Sequence, residues 1–175
     1  MLRQAAHKMY TKYIRSRIKH EISRQRLKLF WFVWGYLPIL RLSRLPLIKR
    51  LYLLQRFIAV DWNVVHGHRP AEINVICGYM VSKGKTTTES VFVEAGCWNG
   101  GSSAKFSILC ELFGYKLHIY DSFQGVKPIA PSELIPGDYD YSGEYKATSE
   151  VVVSNISKYG HLEVCTLHPG WFSDT

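Results

Sequence analysis

Apolar residues over residues 2–22 fall at Leu2, Ala6, Met9, Tyr10, Tyr13, Ile14, Ile18 and Ile22. Steps of three and four predict an amphipathic helix, whose other faces carry Arg3, Lys8, Lys12, Arg15, Arg17 and Lys19. An apolar, aromatic run over residues 29–37 follows and ends at Pro38. It is much shorter than the roughly 20 residues that span a bilayer. A second amphipathic helix is predicted after Pro46, with Leu47, Ile48, Leu51, Tyr52, Leu54, Phe57 and Ile58 at helical spacing and proline at its start, where no N–H is needed. Residues 61–90 read as a connector with one short helix around 71–81 and an exposed turn over 83–88.

After Ser90 the pattern changes. Val91, Phe92, Val93, Glu94 and Ala95 form a short run of β-formers, which predicts a buried strand. A glycine-rich turn over residues 96–101 comes next. Ser102 or Ser103 can cap a helix that runs to about Phe113, with Ala104, Ile108, Leu109 and Leu112 on its inner face. Residues 115–120 predict a second strand that ends at Asp121, and residues 162–167 a third. Strand, turn, helix and strand in this order make a parallel, right-handed βαβ unit.

Charge divides the chain differently. Residues 1–60 carry 14 Lys/Arg and one acid, Glu21, a balance of +13, whereas residues 61–175 carry 8 Lys/Arg and 13 acids, a balance of −5. The expected organisation is a basic helical arm over 1–60, the connector over 61–90, and an α/β unit over 91–175. The arm admits three readings: helices packed on the domain or on a second copy, a peripheral membrane contact through residues 1–58, and nucleic-acid binding. No recognition motif accompanies the charge, so nucleic acid is not the expected partner. Four scattered cysteines without a C-x-x-C pair argue against a zinc site or a disulfide scaffold. The expected compartment is the reducing cytoplasm, with membrane association in the second of those readings of the arm.

The glycine turn discriminates among cofactors. A dinucleotide fingerprint needs a small residue where Trp98 stands. A phosphate-binding P-loop needs lysine where Ser102 stands. What remains is E-x-G-x-x-x-G, with Glu94 at the end of the first strand and Asp121 at the end of the second. This suits S-adenosylmethionine, whose ammonium a carboxylate can balance and whose ribose hydroxyls a carboxylate can receive. Bare backbone at Gly96 and Gly100 lets such a ligand lie against the turn. The plain alternatives are that Gly96 and Gly100 only shape a turn, Asp121 caps a loop, Glu94 is solvated, and Trp98 packs or walls a pocket.

The stretch from Phe92 through Glu94, Gly96, Gly100 and Gly101 to Ser103 resembles the V-E-A-G-x-x-x-G-G-S-S signature of the macrocin O-methyltransferase (TylF-like) family. Asp121-Ser122-Phe123-Gln124-Gly125 resembles its D-[ST]-F-x-G, and Gly170 to Thr175 its G-x-F-x-D-T. Tyr141 to Tyr145, with Asn155 and Gly160, resembles the segment before its third strand. The resemblance covers residues 91–175, about half the chain.

It implies a Rossmann-like class I methyltransferase fold, of which this chain supplies the first three strands, transferring methyl from S-adenosylmethionine to a small-molecule hydroxyl, often on a sugar. Carried over residue by residue, Glu94, Gly96, Gly100, Ser102 and Ser103 hold the methionine end, with Trp98 in the same turn. Asp121 holds the ribose. Ser122, Phe123, Trp171 and Phe172 border the adenine, and residues 139–145 form an acceptor-side lid, where Asp138, Asp140 and Glu144 equally read as solvated loop acids. The family's magnesium ligands and base belong to a fourth strand and later loops that this sequence lacks, so no catalytic or metal residue is assigned, and His118 and His168 are read as structural. The expected sheet order is 3-2-1 with the first strand an open edge. The chain is therefore expected to be an amino-terminal half, inactive alone, with a homo-oligomer as one way to cover that edge. The alternative to an enzyme is a non-catalytic methyltransferase-like binding module docked by its basic arm.

Overall fold

A computed structural model of the chain describes residues 34–85, 90–128 and 140–174. The predicted helix over 2–22, most of the run over 29–37, the end of the turn at 83–88 and the start of the segment at 139–145 lie outside the described residues.

Among the described residues, four α-helices and three strands make up an α/β unit. After a short 3-10 helix, Leu37–Arg41, come α1 (Leu47–Asn63) and α2 (Pro70–Lys83), then β1 (Ser90–Ala95), α3 (Gly101–Phe113), β2 (Tyr115–Asp121), α4 (Ser149–Tyr159) and β3 (Cys165–Pro169). The strands form one parallel sheet in the order β1-β2-β3, the expected order. β1 is an outer strand of this incomplete sheet.

α1 spans residue 60, where composition placed the end of the arm. Its Leu53, Phe57 and Val60 are fully buried. The short helix of the connector is α2, which begins with Pro70 in its first turn, while the Glu72 carboxylate accepts the Arg69 N–H at 3.0 Å.

α3 is buried along nearly its whole length, because the sheet lies on one side and α1, α2 and α4 pack around the rest. Leu117 and Ile119 of β2 point into this layer and are fully buried. The other sheet face carries Val91 and Val93, 51% and 58% exposed. The strand expected to be buried is therefore covered on one face only. His118, Tyr120 and His168 share that open face. The Tyr120 and His168 rings stack at 4.2 Å, and His118 Nδ1 lies 2.8 Å from His168 Nε2.

Two boundaries differ from expectation. Neither Ser102 nor Ser103 caps α3; the cap is Gly100, in the left-handed conformation with φ +75°. The Ser103 hydroxyl donates instead to the Glu94 carboxylate at 2.6 Å. β3 begins at Cys165 because residues 162–164 form a 3-10 turn, and Cys165 is the first to pair, opposite Leu117.

Candidate functional site

The turn after β1 is held by the strand beside it. Gly96 N–H donates to the Tyr120 carbonyl at 2.8 Å, continuing the ladder past the strand end. The next two N–H groups, of Cys97 and Trp98, donate to Asp121 Oδ2 at 2.7 and 3.2 Å, and Phe123 N–H donates to Oδ1 at 2.8 Å. Asp121 thus ties its own loop to the glycine turn. A carboxylate offers about four acceptor positions. With three taken by backbone, Asp121 keeps room for about one more donor, where the sequence suggested two ribose hydroxyls.

These strand ends open into a cavity of about 650 Å³, within the range of small-molecule sites. Of the residues singled out in the sequence, Gly96, Trp98, Ser102, Asp121, Ser122, Trp171 and Phe172 line it. Gly96 has φ +83° and nothing within 4 Å of where a Cβ would stand, so the turn presents bare backbone there. Trp98 adopts φ +47° and meets the Tyr145 ring edge-on at 5.2 Å. Tyr145 comes from the segment expected as a lid, and that segment pairs with the loop after β2: Val126 N–H donates to the Glu144 carbonyl and Gly143 N–H to the Val126 carbonyl, both at 2.9 Å. Lys127 Nζ stands 5.8 Å from the centre of the Trp171 ring.

Glu94, Gly100, Ser103 and Phe123 do not line the cavity. A Cβ on Gly100 would come within 3.0 Å of Val152 Cγ1, so this glycine serves the approach of α4 rather than a ligand. Phe123 packs against the core. Glu94 lies behind the turn, 6% exposed, with Ser103 on one oxygen and no partner for Oε1 among the described residues. Burial pushes its carboxyl up to about 7. Hydrogen bonds from Ser102 and Ser103 pull it down, and the charge of Asp121 pushes it further up.

The structure adds residues that the sequence did not mark. His66, Gly67 and His68 form a wall of the same cavity, from a stretch read as connector. Asn99 Nδ2 donates to the Val65 carbonyl at 3.2 Å, and Asn155 Nδ2 to the Asn99 carbonyl at 2.8 Å, pinning that stretch, the turn and α4 together. Behind His66, the Asp61 carboxylate receives both His66 Nε2 and Lys105 Nζ. Burial alone would raise the Asp61 carboxyl, but the hydrogen bond from His66 and the charge of Lys105 hold it below its ordinary value. Burial lowers the Lys105 ammonium despite the opposing pull of Asp61. An ionised Asp61 can only accept, so His66 carries its proton on Nε2. His66 Nδ1 is shielded from water and has no partner among the described residues. Histidine spaced from its carboxylate by a short loop leaves no periodic trace, which is why pattern reading passed over it.

Among the described residues no group of three or more His, Cys, Asp or Glu side chains converges to hold a metal.

No protein-family model and no curated protein matches the chain. A solved structure similar to it is CalS11, a calicheamicin methyltransferase, at 15% identity and a TM-score of 0.38. The similarity covers 76% of this chain and 56% of that one, so the chain spans little more than half its length.

Proposed function

We propose that the cavity at the strand ends binds S-adenosylmethionine, and that the domain serves methyl transfer to a hydroxyl of a small molecule. The observation that carries this reading is the meeting of a bare glycine turn and the Asp121 carboxylate in one cavity, outside the carboxyl ends of parallel strands. Ligands of open α/β sheets bind at such a place. Trp98 and Ser102 stand there where a dinucleotide or a P-loop phosphate would require glycine and lysine. The four motifs resembling macrocin O-methyltransferases support a hydroxyl, sugar-borne or otherwise, as the acceptor.

In this reading the Gly96 backbone and the Ser102 hydroxyl contact the amino-acid end of the cofactor. Asp121 accepts one ribose hydroxyl, and Trp98, Trp171 and Phe172 supply aromatic walls that exclude water. Glu94 acts from behind, holding Ser102 and Ser103 in place. When bound, the cofactor supplies an electrophilic methyl group on a sulfonium, already a good leaving group, so the protein's part is orientation and desolvation.

Equilibrium dialysis with labelled S-adenosylmethionine tests the reading. Retention displaced by S-adenosylhomocysteine, and not by NAD or ATP, is the expected result. Displacement by NAD or ATP instead would overturn it.

A further inference from the structure

The first half of α1 is apolar on two sides. Leu53 and Phe57 enter the core, while Leu47, Ile48 and Leu51 stand on the outer side, 58%, 73% and 46% exposed. Their i, i+1, i+4 spacing makes them one patch. Around that end of the helix, Arg41, Arg44 and Lys49 are exposed. From residue 34 to residue 60 the sequence holds five Lys/Arg and no Asp or Glu.

From this we infer that the start of α1 is a docking surface for an anionic lipid bilayer, with Leu47, Ile48 and Leu51 entering the headgroup–acyl boundary and the surrounding cations meeting lipid phosphates. Charge selects this occupant. A second copy pairing through the same patch would bring an equally basic surface to that place and be repelled. The chain's own first 33 residues, with nine Lys/Arg and one acid, would be repelled likewise. A nucleic acid would satisfy the cations but leave three exposed aliphatic side chains at their centre without a partner. An interfacial surface needs both features together. The −5 balance of residues 61–175 turns the basic end toward an anionic membrane and the remainder away from it.

The test is flotation of the full chain with vesicles of phosphatidylcholine alone and of equal parts phosphatidylcholine and phosphatidylserine. The chain should float with the anionic vesicles only, and less in high salt. A Leu47→Ser/Ile48→Ser/Leu51→Ser variant should keep the parent's circular dichroism, since all three side chains are outside the core, yet partition about tenfold less or weaker. Reversing Arg41 and Lys49 to Glu should weaken partitioning by about fivefold per charge. Failure of the parent to float would overturn the inference, as would a serine variant that floats as well as the parent. A parent that sediments as a dimer, and becomes monomeric in the serine variant without ever binding vesicles, would assign the patch to self-association instead.

Discussion

Lys105 of α3 places its ammonium against the Asp61 carboxylate of α1 with neither side chain exposed to solvent. α3 is otherwise built to be buried, so a lysine there is tolerated only because α1 brings the opposite charge to it. Removing the Asp61 charge leaves the Lys105 ammonium buried without its counter-charge. Asp61→Asn is expected to cost about 3–5 kcal/mol of folding stability. The Asp61→Asn/Lys105→Met pair is expected to cost clearly less than the sum of its two single changes. Denaturant unfolding of the four proteins checks this, and additivity would mean that the two groups do not interact.

Glu94 gives stability a pH dependence of the less common sign. Its carboxyl titrates near 7 when folded and in the ordinary range of about 4.3 when unfolded. Between those values the native state binds more protons than the unfolded chain, so this group's contribution falls as pH rises from about 4.5 to about 7. Glu94→Gln should remove that slope. At pH 8 the variant should be more stable than the parent by about 3 kcal/mol, with little difference at pH 4. Thermal or denaturant unfolding across that range is the measurement.

Gly96 and Gly100 both take positive φ, and the structure assigns them different duties. Gly96→Ala places a methyl group in open space on the cavity side. It should cost about 1–2 kcal/mol through the left-handed backbone and lower S-adenosylhomocysteine affinity beyond that. Gly100→Ala pays the same backbone cost and also pushes on Val152 of α4, so it should be the less stable of the two yet bind normally while folded. Parallel unfolding and binding titrations separate the two effects.

The unit from β1 to β2 could be read from sequence because each signal there is local: a β-forming run, a cluster of glycines, helical spacing, and an acid closing the next strand. The strand order followed from the resemblance to class I methyltransferases, not from a local signal. The start of α3 was not legible, because Ser102 and Ser103 look like caps, and only the fold shows the Ser103 hydroxyl donating to Glu94 instead. β3 was placed three residues early, since nothing local in Leu162, Glu163 and Val164 separates a 3-10 turn from an extended strand. Asp61, His66 and Lys105 were missed as a group because Lys105 lies 44 residues from Asp61. Their meeting depends on how α1 packs against α3, which no short-range pattern encodes.

Asp121 carries the central claim, since it holds the glycine turn and faces the cavity at once. Calorimetric titration of the chain with S-adenosylhomocysteine, with circular dichroism to confirm the folded state, tests that claim most directly. Saturable one-to-one binding is predicted. Asp121→Ala should weaken it by about 1.5–3 kcal/mol, the worth of a hydrogen bond to a charged group. A folded chain that gives no binding heat, or a folded Asp121→Ala variant with undiminished affinity, would contradict the account.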